Sequence, residues 1–276
     1  MINITVKPIN LTEHFEQLLA IWRACFPEDA DFGTAFLKEV APTTTVFGML
    51  VNNTLVSCAY CLPTSLCDNK IQLSAYYVYG VGTLPSHRGK GYAKKMLAHI
   101  KDTLCADVLF LYPAKPSLRD FYTALGYRSL LCRTEVSIAP TVSKPLPSFR
   151  VEPFDITMYE EKRTAFLENT SVLYATFGSV AMQTLLGHAL LLLADTITAV
   201  CIVEDDMVII SEALCDAEQM PLLVTIAKQA FPQKNVVVYT TGTDKVSGMV
   251  LPLSDVAERY FDTQEVVPFF GTFFAE

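Results

Sequence analysis

One segment, VGTLPSHRGKGYAKKML from Val81 to Leu97, constrains this chain more than any other, because it joins two different periodic patterns within a few residues. An aromatic and β-branched run typical of a strand leads into it, and the residues after Gly91 have apolar side chains at helical spacing. One Pro, two Gly, Arg88 and Lys90 lie between them. A helix that begins at a Gly-rich turn presents unpaired backbone N–H groups and a positive dipole end. The segment therefore predicts a strand, an anion-binding turn and a helix.

A Pro-rich segment divides the chain into two halves with the same order of elements. Three Pro residues interrupt the periodic patterns at 139–149, which predicts a linker there and domains at 1–138 and 150–276. Each half reads as a strand, a helical segment, a hairpin, a strand, a helix, a buried strand and a short helix, which is a weak internal repeat. In the second half the sequence ALCDAEQMP, which has no Gly, replaces the Gly-rich turn. Only the first half is therefore predicted to bind an anion in this way.

Local signals predict where some of these elements begin and turn. Thr12 is the predicted N-cap of the first helix. The dipeptide Asn52-Asn53 separates two strand-like runs and predicts a hairpin turn. A helix and a hairpin are thus expected before the Gly-rich turn.

Composition restricts the class of protein. The 276 residues are 51% hydrophobic and 18% charged, which is typical of a globular chain. The apolar run at 189–194 is too short to span a bilayer, and the N-terminus lacks a secretory signal, so we expect a cytoplasmic protein without a membrane partner. The net charge of −8 divides into +4 for residues 1–150 and −12 for residues 151–276. No basic stripe with interleaved aromatic residues is present, so no nucleic-acid partner is predicted.

The eight cysteines contain one spacing that is seen in metal and redox sites. Cys58 and Cys61 form a C-x-x-C, but they lie in a strand-like run, where residues three apart point to opposite faces. A chain of this length needs no disulfides for stability. We therefore predict reduced core cysteines and no metal site.

Two blocks resemble one known family. The run Arg88-Gly89-Lys90-Gly91-Tyr92-Ala93 resembles the R-x-x-G-x-A turn of the GNAT N-acetyltransferase superfamily, whose strand-to-loop pattern also matches Val81–Gly91. The block Val108–Arg128 resembles the strand and helix that follow in that family, and it ends in F-Y-x-x-x-G-[FY]. The resemblance covers most of residues 1–138. It implies an α/β (α+β) class and the GNAT acyl-CoA N-acyltransferase fold, a mixed central sheet with splayed parallel strands, with two GNAT-like domains in tandem.

The resemblance also implies how acetyl-CoA would be bound as acyl donor. Backbone groups near Val81 and Thr83 would pair with the pantetheine arm, and N–H groups from Arg88 to Ala93 would hold the pyrophosphate. His87 is either a phosphate donor or a solvent-facing loop residue, and Lys115 stands where the family often has Asn. The implied cofactor-binding residues are Val81, Gly82, Thr83, His87, Arg88, Gly89, Lys90, Gly91, Tyr92, Ala93 and Lys115.

For catalysis, the resemblance implies that Tyr122 protonates the departing thiolate. The general base is unassigned, because the strand AYYVYGV has no carboxylate. Glu135 and the C-terminal carboxylate of Glu276 are the alternatives. The implied activity is acetyl transfer from acetyl-CoA to a primary amine by direct attack in a ternary complex. The missing base keeps open a second hypothesis, a non-catalytic acyl-CoA-binding sensor or interaction module with the same fold.

The second half carries an expectation of its own. It is predicted to be a degenerate GNAT-like copy, because Asp216 and Glu218 in its turn would repel a pyrophosphate. The negative charge of residues 151–276 favours a cationic amine as acceptor. The identity of that amine and the oligomeric state do not follow from the sequence.

Overall fold

A computed structural model describes residues 3–27, 30–136, 146–167 and 171–270. These residues form a mixed sheet of fourteen strands, with helices packed on it. None of the helices in the described ranges is both long enough and apolar enough to cross a membrane.

The first half follows the predicted order and adds one helix. Its elements are β1 (Ile4–Pro8), α1 (Leu11–Cys25), α2 (Ala30–Glu39), β2 (Thr45–Val51), β3 (Thr54–Cys67), β4 (Gln72–Thr83), α3 (Tyr92–Thr103), β5 (Val108–Leu111), α4 (Arg119–Thr123) and β6 (Arg128–Val136). Helix α2 was not predicted. The predicted N-cap Thr12 is wrong, because the Asn10 side chain accepts from the Glu13 N–H at 3.2 Å and the helix begins at Leu11. The Asn52-Asn53 turn is confirmed, with φ of 50° and 64°.

The second half repeats this order and adds two strands that were not predicted, β8 and β13. Its elements are β7 (Phe149–Pro153), α5 (Ile156–Leu167), β8 (Leu173–Phe177), α6 (Ser179–Leu186), β9 (Leu190–Ala194), β10 (Ile197–Val203), β11 (Met207–Leu214), α7 (Met220–Ala230), β12 (Asn235–Thr241), β13 (Lys245–Pro252), α8 (Asp255–Asp262) and β14 (Val267–Phe270). The terminal strand was predicted to extend to residue 276. Strand β14 is part of it, and residues 271–276 lie outside the described ranges.

The two halves share one sheet because each contributes a strand to the other. The strand order is β1-β2-β3-β4-β5-β13-β6-β12-β11-β10-β9-β7. Strand β13 lies between β5 and β6, antiparallel to both, and β6 in turn pairs with β12. Strand β13 of the second half therefore completes the sheet of the first. The domain limits 1–138 and 150–276 stay a prediction.

A second set of pairings closes part of the sheet on itself. The end of β3 pairs with β8, β8 pairs with β14, and β14 pairs with β6. Together with β4, β5 and β13, these strands form a ring around an apolar core that includes Tyr77, Phe110, Leu131, Leu173 and Phe269. Strands β4, β5, β6 and β14 run parallel to one another, so their C-terminal ends lie at one edge.

Candidate functional site

Strands β4 and β5 separate near the middle of the sheet. Their parallel pairing covers 75–77 and 108–110 and ends at the pair Tyr77–Phe110. Just beyond it, β4 contains a bulge against β3, at which Gly80 has a φ of 57°. A bulge turns a strand away from its neighbour. The sheet is therefore splayed at this point.

The predicted pantetheine-binding residues lie along the splay. Gly82 and Thr83 continue β4 and still pair with β3 on one side, so the edge of β4 that faces β5 is open beyond Tyr77. Gly82 has little room for a side chain, because a Cβ atom there would lie 3.0 Å from Ile21 Cγ2. An open strand edge is suited to an extended ligand that pairs like an added strand.

The turn after β4 exposes bare backbone. Gly89 and Gly91 have φ of 74° and 72°, and a Cβ atom placed on either would have no atom within 4 Å. The first hydrogen bond at the start of α3 runs from the Lys95 N–H to the Gly91 carbonyl, at 3.1 Å. Within the described part of the chain, no protein acceptor pairs with the backbone N–H groups of residues 89–94. This geometry fits an anion.

Side chains around the turn hold its shape. The Arg88 Nε donates to the Thr83 carbonyl at 3.0 Å, so this side chain organises the turn. The His87 Nδ1 lies 3.0 Å from the Ser86 Oγ, and its ring stacks on Tyr92 with 6.3 Å between centroids. Tyr92 is buried and so anchors the start of α3. These contacts fix the backbone and leave its N–H groups exposed.

Three basic side chains surround the turn on its solvent side. Lys90, Lys94 and Lys95 are all exposed. Ala93 is half-buried, on the first turn of α3. Cations beside a helix N-terminus add to the attraction for a phosphate.

Tyr122 lies on α4, in the cluster that packs between the sheet and helices α3 and α4. Its ring contacts Phe121 and Tyr127, at 5.1 and 5.7 Å between centroids. Burial raises the pKa of Tyr122 to about 12, so its hydroxyl is protonated at neutral pH. Lys115 is exposed and precedes the short 3-10 helix that leads into α4.

The alternatives for the general base lie elsewhere. Glu135 is on β6, opposite Tyr239 of β12. Its carboxylate is 45% exposed and lies 3.8 Å from the Lys245 Nζ, as in a surface ion pair. Glu276 lies outside the described ranges. The structure therefore does not bring Glu135 to the splay.

A group of aromatic rings on the α1 side of the splay was not predicted from the sequence. Tyr77 and Tyr79 of β4 lie beside Phe110 and Tyr112 of the β5 segment, and Phe177 of β8 contacts Tyr77 and Phe110. The alternation of aromatic residues in β4 and β5 was the available signal. Phe177 gave none, because its strand was not predicted.

The C-x-x-C residues are separated by the sheet, as the strand pattern indicated. Cys58 packs in the cluster on the α1 side and Cys61 in the cluster on the α3 side. Burial raises the pKa of both thiols to about 12. The described residues contain no group of three or more His, Cys, Asp or Glu side chains placed to hold a metal ion.

The second half has a matching splay that is filled. Strands β11 and β12 pair from Met207 to Ile210 and then separate, and β11 is bulged at Ser211. Glu212 follows and forms an ion pair with Arg163 of α5, with Nε–Oε2 at 3.3 Å and side-chain exposures of 1% and 8%. The Arg163 guanidinium lies 5.6 Å from the centre of the Phe270 ring of β14. An ion pair and an aromatic ring therefore occupy this splay.

The comparisons with known proteins agree with this geometry. Residues 5–130 match the family model described as an acetyltransferase (GNAT) domain. Among curated proteins, no sequence matches the chain significantly.

Solved structures extend the similarity to both halves. The chain is similar to a conserved protein of Enterococcus faecalis described as a probable N-acyltransferase, with a TM-score of 0.73, 14% identity, and 91% of this chain and 73% of that chain covered. GCN5-related N-acetyltransferases from Kribbella flavida (TM-score 0.71, 15% identity, 93% and 72% covered) and Anabaena variabilis (0.66, 16%, 92% and 74%) have the same fold. Residues 5–130 are therefore similar to a GNAT acetyltransferase domain, and the chain as a whole has the fold of these GNAT structures.

Proposed function

We propose that the protein transfers the acetyl group of acetyl-CoA to a primary amine, by direct attack within a ternary complex. One observation carries the proposal: the open edge of β4 continues directly into a turn with unpaired N–H groups. A ligand that consists of an extended arm followed by a pyrophosphate would match the strand edge and the turn in the same order. Acetyl-CoA is such a molecule, and it is the acyl donor that the similarity of residues 5–130 to a GNAT domain implies.

The proposed donor-binding residues follow from this arrangement. The β4 edge at Val81, Gly82 and Thr83 would pair with the pantetheine arm, and the backbone from Arg88 to Ala93 would hold the pyrophosphate. Lys90 supplies positive charge beside it, and His87 faces the same turn. Lys115, which is exposed on the β5–α4 connection, stays a predicted contact to CoA.

The proposed reaction needs few protein groups. The neutral amine attacks the thioester carbonyl carbon, a C–N bond forms, and the C–S bond breaks. The Tyr122 hydroxyl gives its proton to the departing thiolate and regains one from water, because its raised pKa keeps it protonated between turnovers. The proton released by the amine passes to water. The products are the N-acetyl amine and free CoA, and the main contribution of the protein is to hold the reactants together.

We also propose a cationic acceptor. Residues 151–276 carry a net charge of −12, which would attract an amine with a second positive group. A diamine should then show a KM that rises with salt concentration more than that of a monoamine of equal length. Equal salt dependence of the two KM values would remove this part of the proposal.

The proposal is tested by mixing the purified protein with acetyl-CoA and a panel of primary amines and measuring free CoA thiol. The expected result is a steady, amine-dependent release of thiol, accompanied by the acetylated amine in mass spectra. Binding of CoA, measured by calorimetry, without release on any amine would contradict transfer and support the acyl-CoA sensor. Absence of CoA binding would overturn the assignment of the site.

A further inference from the structure

We infer that the stacked rings of Tyr77 and Phe110 restrict the acyl group to a short one, so that acetyl is accepted and longer straight chains are excluded. The inference rests on the proposed function, because it assumes that an acyl thioester enters the splay. It names residues that determine specificity for the donor.

The position of the two rings follows from the strand pairing. Tyr77 and Phe110 are the last paired residues before β4 and β5 separate, so they form the closed end of the splay. Their rings lie on the α1 side with 5.2 Å between centroids and 25° between planes. An acyl group that lengthens toward the closed end of the splay meets these rings first.

Other aromatic rings leave the pair little freedom to move aside. Tyr77 also contacts Tyr79, Tyr112 and Phe177, with centroids 5.5, 5.9 and 6.0 Å away. Phe110 contacts Phe177 at 6.4 Å and Phe269 at 6.1 Å. At these separations aromatic rings are in contact. Tyr77 is 2% exposed and Phe110 is fully buried, so the closed end is a packed wall.

A second layer supports this wall from α1 and α2. Trp22 lies 6.0 Å from Tyr79 and 5.0 Å from Phe36, and Phe36 lies 5.3 Å from Tyr79. Close-packed interiors resist added volume, because inserted methylenes force side chains from their preferred rotamers. Each further methylene on the acyl chain should therefore lower the rate of transfer.

The test compares acetyl-, butanoyl- and hexanoyl-CoA as donors with a saturating amine. For the unaltered protein we expect kcat/KM to favour acetyl over hexanoyl by about 100-fold or more. Tyr77→Leu and Phe110→Leu should each raise the hexanoyl-to-acetyl ratio by about tenfold or more, since a smaller side chain opens the closed end. Tyr77→Phe keeps the ring and should keep the acetyl preference.

The control is Phe154→Leu, which changes a buried ring of the second half, in a different cluster. It should leave the donor ratio unchanged. Equal use of hexanoyl- and acetyl-CoA by the unaltered protein, or unchanged ratios in both leucine variants, would overturn the inference.

A binding measurement separates this inference from the proposed function and does not depend on folding of the variants. S-ethyl-CoA and S-hexyl-CoA are unreactive thioethers, and we expect the unaltered protein to bind the ethyl compound about 100-fold more tightly. Equal affinities would contradict the inference even if no amine is ever acetylated. Failure of acetyl transfer together with the expected difference in affinity would overturn only the proposed function.

Discussion

Eight residues, 84–91, connect β4 to α3 in the first half, whereas five, 215–219, connect β11 to α7 in the second. In the longer connection Gly91 is the N-cap and no side chain caps the helix. In the shorter one a 3-10 helix, Ala217–Gln219, precedes α7, and it has a side-chain cap: the Asp216 side chain accepts from the Gln219 backbone N–H, and the Gln219 side chain accepts from the Asp216 N–H at 3.0 Å. The second half thus satisfies with its own side chains the kind of donors that the first half leaves available to an anion.

The splays differ in the same way. From the bulge in β4 the chain continues as Gly80-Val81-Gly82, with no charged side chain. From the bulge in β11 it continues as Ser211-Glu212, and the glutamate is buried against Arg163. The architecture of strand, bulge and helix is therefore stable without a ligand site. The open turn and open splay of the first half are features that folding alone does not require.

The largest effect is expected from closing the open turn. The double substitution Gly89→Val and Gly91→Val should abolish measurable CoA binding, because branched side chains would cover the N–H groups and are strained at positive φ. The strain should lower the free energy of unfolding by about 1–3 kcal/mol per site, so the fold should persist. Calorimetric titration with CoA measures the loss.

Gly178 offers a matched control for that variant. It is the N-cap of α6, it also has open space where a Cβ would lie, and its φ is −65°. Gly178→Val should leave CoA affinity unchanged. Affinity retained in the double variant would show that the turn is not the anion site.

The next largest effect is expected in the filled splay. Glu212→Ala should lower the free energy of unfolding by about 3–5 kcal/mol, because it leaves the Arg163 charge buried without its carboxylate. The double substitution Glu212→Leu and Arg163→Met should recover much of this loss of stability, since apolar side chains of similar volume need no charge partner. Denaturant titration measures both changes. An unaltered midpoint in Glu212→Ala would show that the ion pair does not hold this splay closed.

How far the sequence predicted the fold depends on whether the signal was local. The β2–β3 hairpin and the start of α3 follow from short-range chemistry, at Asn52-Asn53 and at the Gly-rich turn. Strand β13 was missed, because Ser247 and Gly248 weaken its alternation and its partners lie more than a hundred residues earlier in the chain. The N-cap was misplaced by two residues, since Asn10 and Thr12 are both good caps and the sequence does not decide between them.

The candidate site divides in the same manner. Contiguous sequence motifs singled out the turn from Arg88 to Ala93 and Tyr122. The wall of Tyr77, Phe110 and Phe177 and the Arg163–Glu212 pair depend on strands and helices that meet only in the folded chain. The aromatic alternation in β4 and β5 was a signal that rings lie there, but a single sequence does not show which side chains meet across strands and helices.

A smaller effect is expected within the first half. Tyr122→Phe should lower kcat by about 100-fold with little change in the KM for acetyl-CoA, because it removes the proposed proton donor but keeps the ring. Since the pKa of Tyr122 is about 12, its proton is present at all pH values up to about 10, and kcat should show no alkaline loss from this group below that pH. Steady-state rates at several pH values measure both effects.

Tyr127→Phe is the control for Tyr122→Phe. Tyr127 packs against Tyr122 in the same cluster, and its buried hydroxyl has no hydrogen-bond partner among the described residues. Loss of that hydroxyl should change neither kcat nor stability appreciably. Similar rates for Tyr122→Phe and Tyr127→Phe would contradict the role of Tyr122 as proton donor.

The smallest effect is expected from removing the cap in the second half. Asp216→Ala should lower the free energy of unfolding by about 1 kcal/mol, the usual contribution of an N-cap side chain. It should not create a second CoA site, because the connection is three residues shorter than 84–91 and has no glycine at a positive φ. Calorimetry should therefore still give one CoA per chain.

Ligand-induced stabilisation is the second measurement on Asp216→Ala, because the stabilising CoA should bind to the first half alone. CoA at about 100 times its Kd should raise the free energy of unfolding by about 2.7 kcal/mol, and by the same amount in the unaltered protein and in Asp216→Ala. An equal increase on the lower baseline of Asp216→Ala means that the side-chain cap and the ligand act on separate helix ends. A smaller increase in the variant would show instead that the two connections are coupled through the shared sheet, and a second CoA per chain would show that Asp216 alone keeps the second half from binding.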